Sequence, residues 1–131
     1  MLRVLIVEDE KPIRELLNDF LTDEGYVTLL AENGEEGVEI ARTEHPDLIL
    51  MDLMLPLLSG LDAIRSLKED HETRDIPVVV MSANTVLLLH LSDQFLADDT
   101  LRKPFDLDRV LDLVQSRIGV AFPGAMVGGS R

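Results

Sequence analysis

Glu8 and Asp9 follow the apolar run Leu2–Val7, Asp52 follows Leu48–Met51, Ser82 follows Pro77–Met81, and Lys103 follows the short stretch Asp99–Arg102. Three carboxylates, a hydroxyl and an ammonium are the parts of a site that holds a hard cation and handles a phosphoryl group. Taken singly, each residue has an ordinary explanation. Acids between a strand and a helix favour the helix dipole, a lone Asp closing an apolar run makes a turn, and a serine there makes a cap. Taken together they matter only if the fold brings the ends of the runs to one edge. Two carboxylates about 4 Å apart repel by roughly 4 kcal/mol at an effective dielectric of about 20. A converging cluster would then consume much of a typical stability of about 5–15 kcal/mol, so it should hold a proton or a cation. Oxygen donors without His or Cys suit Mg²⁺. A cation beside Asp52 would neutralise an incoming phosphoryl group, Lys103 and Ser82 could engage its other oxygens, and Asp52 would be the carboxylate nucleophile that accepts it.

The elements around these residues alternate between continuous apolar runs and helical periodicity. After Leu2–Val7 and Pro12, Ile13, Leu16, Leu17, Phe20 and Leu21 form one helical stripe that Gly25 stops. Tyr26–Leu30 reads as a second strand. Asn33 and Glu36 have capping-box spacing before a helix carrying Val38, Ile40 and Ala41. A loop with Pro56 and Gly60 follows the third strand, and Ser59 is placed to cap a helix bearing Leu61, Ile64 and Leu67. Asp106 is placed to cap a last helix with Leu107, Val110, Leu111, Val114 and Ile118 at helical spacing. Residues 119–131 lack periodicity and read as a tail. Five apolar strands separated by helices predict an α/β fold: a doubly wound parallel sheet covered on both faces, with ligands at the carboxyl ends of the strands.

Composition sets the outer bounds. The chain has 131 residues, enough for one domain with a sizeable core, and no cysteine. With 25 acidic against 12 basic residues the formal charge is −13, and there is no clustered basic face for a phosphate backbone, so nucleic acid is not expected as a direct partner. No apolar stretch is long enough to span a bilayer, and residues 1–7 lack the features of a signal peptide. A cytoplasmic location is expected.

At VLIVEDE (4–10), LILMDLMLPLLSG (48–60), IPVVVMSA (76–83) and RKPF (102–105) the chain resembles the receiver domain of two-component response regulators, the single-domain chemotaxis receiver being the simplest relative. The resemblance covers residues 2–118 and implies the flavodoxin-like strand order 2-1-3-4-5. It implies Asp52 as phosphoacceptor, and Mg²⁺ bound by Asp9, by Asp52, by the backbone carbonyl of Met54 and by Glu8 largely through water. Ser82 would be the switch hydroxyl, Lys103 the phosphate-pairing cation, and Lys103–Pro104 a cis peptide. The implied donor is a phosphohistidine on a sensor histidine kinase or histidine phosphotransfer protein. The implied output is association with a downstream protein, from a phosphoryl-accepting signalling protein rather than an enzyme. Residues 1–118 would form the receiver and 119–131 a flexible tail.

Two departures from the family pattern stand out. Thr100 occupies the place, three before the lysine, where the family usually has an aromatic switch residue, and Asp99 and Leu101 beside it cannot substitute. In the stretch TVLLLHLSDQFLA (85–97), Val86, Leu87, Leu88, Leu89, Leu91, Phe95 and Leu96 point nearly all round a helical wheel. A helix apolar on every side calls for cover on every side. Either some of these leucines are simply exposed or the segment is partly unwound, or the stretch is a self-association surface: a homodimer, or an exchanged unit, through the fourth helix and fifth strand, with phosphorylation read through assembly. Alternatives are a non-switching interaction module that keeps the acidic pocket, and a receiver cut from a longer regulator. A Mg²⁺-dependent phosphatase is disfavoured because Asp52-Leu53-Met54 lacks a second Asp and no separate acid/base follows the nucleophile. His45, His71 and His90 have no metal-ligand spacing with one another.

Overall fold

The computed structural model describes residues 1–55, 59–93 and 97–122, with the side chains of 91–93 excepted. The elements run β1 (Arg3–Val7), α1 (Lys11–Asp23), β2 (Val27–Ala31), α2 (Gly34–Glu44), β3 (Leu48–Asp52), α3 (Gly60–Glu69), β4 (Val78–Ser82), α4 (Thr85–Asp93), β5 (Asp99–Arg102) and α5 (Leu107–Ile118). All strand pairs are parallel, and the sheet order is β2-β1-β3-β4-β5.

Period-two alternation within fully apolar strands explains the two layers. Leu5, Val7, Ile49, Met51, Val78 and Val80 face one way and pack with Val38 and Ala41 of α2, Ala63, Ile64 and Leu67 of α3, and Leu88 of α4. Val4, Ile6, Leu48, Leu50, Val79 and Met81 face the other way and pack with Leu17 and Leu21 of α1 and Val110, Leu113 and Val114 of α5. Both faces of the sheet are therefore covered, as the apolar strands predict.

Several local expectations are met by the chemistry anticipated. Asn33 Oδ1 accepts from the Glu36 N–H at 2.8 Å, and Ser59 Oγ accepts from the Asp62 N–H at 3.2 Å. Gly25 has φ +98°, which a residue with a Cβ rarely adopts. Others need correction. The Glu36 carboxylate bonds the N–H of Glu32 rather than that of Asn33, so the capping box is displaced by one residue. Asp106 occupies the N-cap of α5 without a side-chain bond; its carbonyl accepts from Arg109 and Val110 instead. The second strand starts one residue later than its apolar run, because the Tyr26 N–H still bonds Leu21 of α1, and it extends to Ala31, whose carbonyl accepts from Glu8.

On α1 the buried line is Arg14, Leu17 and Leu21, while Leu16 is 48% exposed. The stripe is thus rotated from the expected one, with a charged residue in a buried place. On α4, Leu88 is spent in the core and Leu87 packs partly against it, whereas Val86 and Leu89 are 77% and 62% exposed. Leu88 is therefore spent mainly in the core rather than presented on the surface of α4. The side chain of Leu91, the residues Phe95 and Leu96, the loop proline Pro56 and residues 123–131 lie outside the described residues.

Candidate functional site

Register brings the acids together. Val7 pairs with Met51 across β1 and β3, so one step further along the two parallel strands Glu8 lies beside Asp52. This is also where the winding reverses, because chain connections leave β1 toward β2 on one side and β3 toward β4 on the other, which opens a crevice at the carboxyl ends. The chain bends at Asp9 immediately after β1. One carboxylate oxygen from each of Glu8, Asp9 and Asp52 lies within 4.8 Å of the other two, with Glu8 and Asp52 buried and Asp9 exposed.

The other two predicted residues arrive from β4 and β5. Ser82 pairs with Arg102, and the Lys103 N–H bonds the Ser82 carbonyl at 2.9 Å, so the lysine leaves the sheet directly over the acids. Lys103 Nζ donates to Glu8 Oε1 at 2.8 Å and to Asp52 Oδ2 at 3.3 Å. The Lys103–Pro104 peptide is cis. Two backbone donors complete the floor in matching positions: the Met54 N–H reaches Asp52 Oδ1 at 3.2 Å, and the Asn84 N–H reaches Ser82 Oγ at 3.0 Å. Asn84 also caps α4, accepting from the Leu87 N–H at 3.0 Å. Met54 itself is exposed at the rim.

Electrostatics follow from this burial. Removal of the Glu8 carboxyl from water, reinforced by its hydrogen bond and repulsion with Asp52 and opposed by Lys103, pushes it up to about 7. Burial works against the charge on Lys103, yet Glu8 and Asp52 together raise its pKa above the ordinary value. Among the described residues no buried side-chain nitrogen or oxygen lacks a hydrogen-bond partner.

The donor set fits Mg²⁺. All ligands are oxygens, and three carboxylates outweigh one ammonium by two charges when ionised. Adjacent oxygens on an octahedral Mg²⁺ stand about 3 Å apart and opposite ones about 4.2 Å, so three carboxylates within 4.8 Å of one another would draw closer around the ion or reach it partly through water.

Two contributions were not anticipated: Gly60, read from the sequence as a loop residue, is the first residue of α3, and Arg14 was not singled out at all. Gly60 opens α3 with its N–H on the Leu53 carbonyl at 3.1 Å, and a Cβ there would stand 2.2 Å from the Asp52 carbonyl oxygen. The helix can approach β3 this closely only at a glycine. Arg14 is 8% exposed and bonds the backbone of the acidic loop. The available signal was a charge three residues before Leu17 and seven before Leu21, inside a buried helical spacing.

Thr100 lies half-buried on β5 opposite Val80. With Leu88, Leu89, Arg102, Phe105 and Arg109 it lines a cleft of about 340 Å³. A second, apolar cleft of about 390 Å³ runs beside Lys103, between Ile13 and Leu16 of α1 and Pro104 and Phe105. No described helix is long and apolar enough to cross a membrane.

Residues 4–115 match the response regulator receiver domain family. The polar-differentiation response regulator DivK of Brucella ovis is 34% identical over 122 residues, spanning 90% of this chain and 97% of the relative. Response regulator TrrA of Thermotoga maritima, solved in complex with Mg²⁺ and BeF, is 32% identical with a TM-score of 0.81, covering 90% of this chain and 100% of that one. The receiver domain of a Pseudomonas aeruginosa sensor histidine kinase, solved with a magnesium ion coordinated in its active-site cleft, is 29% identical with a TM-score of 0.80, covering 89% and 97%.

Proposed function

The chain belongs to the response regulator receiver domain family, and from that premise we propose that it is a phosphoacceptor of a two-component or phosphorelay system, taking a phosphoryl group on Asp52 from a phosphohistidine of a sensor histidine kinase or histidine phosphotransfer protein. The observation that carries this reading is Lys103 Nζ, placed between two buried carboxylates at the strand edge where Asp9 also converges. An Asp52 carboxylate oxygen attacks phosphorus, and the bond from phosphorus to the donor imidazole nitrogen breaks with its electron pair going to that nitrogen. Lys103 shifts from Glu8 and Asp52 onto a phosphoryl oxygen, and the Ser82 hydroxyl donates to another. The Met54 and Asn84 N–H groups stand beside the same space. Asp9, Asp52 and the Met54 carbonyl would hold Mg²⁺, with Glu8 acting largely through water. The chemistry a bound Mg²⁺ supplies there is neutralisation of phosphoryl charge.

The chain's own chemistry ends at acceptance and slow self-hydrolysis of the acyl phosphate, which makes it a signalling protein rather than an enzyme of external substrates. Residues 1–118 form the receiver, and the protein works in the cytoplasm. The apolar cleft beside Lys103 supports seating of the donor protein there. Output is by association with a downstream protein, and the exposed Val86 and Leu89 on α4 support a homodimer as one form of it.

Incubation with Mg²⁺ and a small acyl phosphate tests the reading. The expected result is a mass gain of one phosphoryl group in wild type and none in Asp52→Asn. No gain in wild type, or an equal gain in Asp52→Asn, overturns it. A second reading, a non-switching interaction module, is favoured by the small Thr100 side chain beside its cleft. Beryllofluoride with Mg²⁺ separates the two: a switching receiver changes its amide spectrum or assembly around Thr100 and α4, and a passive module changes neither.

A further inference from the structure

In an extended chain Glu8 and Asp9 would point to opposite faces of the sheet, because successive side chains alternate. Their carboxylates nevertheless converge with Asp52 within 4.8 Å, so the backbone must be held bent between them. One side chain is placed to do this. Arg14 Nη1 donates to the Glu8 carbonyl at 2.9 Å and approaches the Asp9 carbonyl at 3.4 Å. Its Nη2 donates to Glu32 Oε1 at 3.0 Å, and the N–H of Glu32 is in turn held by the Glu36 carboxylate at 3.2 Å. The guanidinium thus has one terminal nitrogen on two successive carbonyls of the acidic loop and the other on the loop that opens α2.

We propose that Arg14, anchored by Glu32, is the positioning residue that holds Glu8 and Asp9 in the metal-binding arrangement. The inference rests on the reading that Glu8, Asp9 and Asp52 take Mg²⁺. A planar fork suits the task, since it can span two acceptors in fixed geometry where a lysine offers a single point of charge. The cation also balances Glu32, so that this carboxylate, close to the end of β1, does not add to the repulsion among the other acids. The hydrogen bonds of Arg14 go to the Glu8 and Asp9 carbonyls and to Glu32, so it acts through the loop.

The test compares wild type, Arg14→Met, Arg14→Lys and Glu32→Ala for Mg²⁺ affinity by isothermal titration calorimetry. Amide NMR shifts of Glu8, Asp9 and Glu10 are recorded with and without Mg²⁺, at a temperature where each variant is folded. Substitutions that disorient groups behind metal ligands typically weaken binding 10–100-fold. Arg14→Met should lose about tenfold or more, with the three amide shifts displaced before Mg²⁺ is added. Arg14→Lys should recover part of the loss, and Glu32→Ala should weaken binding by a smaller factor. A folded Arg14→Met with wild-type affinity overturns the proposal, as does an Arg14→Lys no better than Arg14→Met. If Arg14→Met does not fold, Glu32→Ala decides: Glu32 is largely exposed, and unchanged Mg²⁺ affinity there overturns the anchoring role. Wild type that takes up no Mg²⁺ overturns the metal reading and this inference with it, an outcome distinct from binding that is indifferent to Arg14.

Discussion

Lys103 sits closer to Glu8 than to Asp52, 2.8 Å against 3.3 Å. The lysine is therefore tied first to Glu8 rather than to the proposed phosphoacceptor. Glu8 is fully buried, and the ammonium is its direct ion-pair partner among the described residues. On the proposed function, freeing Lys103 for a phosphoryl oxygen would require something else to satisfy Glu8, which would couple the lysine to a cation held by the acids.

Removing the lysine leaves two buried carboxylates facing each other. Breaking a buried ion pair by deleting one partner typically costs about 3–5 kcal/mol. Lys103→Met should lose stability on that order in urea denaturation at pH 8 with chelator present. Combining it with Glu8→Gln should restore part of the loss, because the uncompensated charge is then gone. Equal stability of Lys103→Met and wild type would show that the pair is not held as described.

The raised pKa of Glu8 fixes the direction of a pH effect. A carboxyl near 4.5 when unfolded and about 7 when folded binds its proton more tightly in the native state. Its contribution is fully present below about pH 4.5 and is lost as pH rises through about 7. With chelator present, the melting temperature of wild type relative to Glu8→Gln should fall between pH 5 and pH 8. Parallel pH profiles for the two proteins would remove the inferred burial cost.

Gly60 sets how closely α3 approaches β3. A methyl group there would meet the Asp52 carbonyl oxygen at 2.2 Å and Leu53 Cα at 2.6 Å, both backbone atoms that cannot rotate away. Gly60→Ala should destabilise by about 1–3 kcal/mol or more, the usual range for overpacking, and slow phosphorylation of Asp52 by a small acyl phosphate. Thermal melts and mass-based phosphorylation rates measure the two effects separately. A stable variant with unchanged phosphorylation would contradict this packing.

Neighbouring leucines on α4 should behave oppositely. Leu88→Ala should cost about 2–5 kcal/mol, since Leu88 is 5% exposed within the core. Val86→Asp with Leu89→Asp should leave the melting temperature nearly unchanged and instead reduce self-association. Sedimentation at high micromolar concentration, with and without phosphorylation, reads the second effect. A wild type monomeric in both states removes the dimer proposal.

The local devices were legible because they depend on near neighbours in the chain. Asn33 and Ser59 cap where their side-chain types demand, and Leu48 to Met51 is apolar at every position because both its faces are covered. The acids, the hydroxyl and the lysine were legible as strand ends, since a parallel sheet places all carboxyl ends along one edge. The rotation of α1 was not. Leu16 and Arg14 are each compatible with a helical stripe, and only the backbone carbonyls of Glu8 and Asp9 make the buried place favourable for an arginine. On α4, four successive apolar residues gave no periodicity to separate the core-facing Leu88 from the solvent-facing Leu89.

What the amino-acid order alone determined is the type of fold and which groups gather at the sheet edge: oxygen donors and one cation. These follow from residue type, apolar period and motif. The tertiary structure alone decided which charges meet. Glu8 and Lys103 are ninety-five positions apart, and their 2.8 Å contact exists because β1, β3, β4 and β5 lie side by side in register. Burial at that meeting point, which no local pattern encodes, turns an ordinary glutamate into one whose carboxyl titrates near 7.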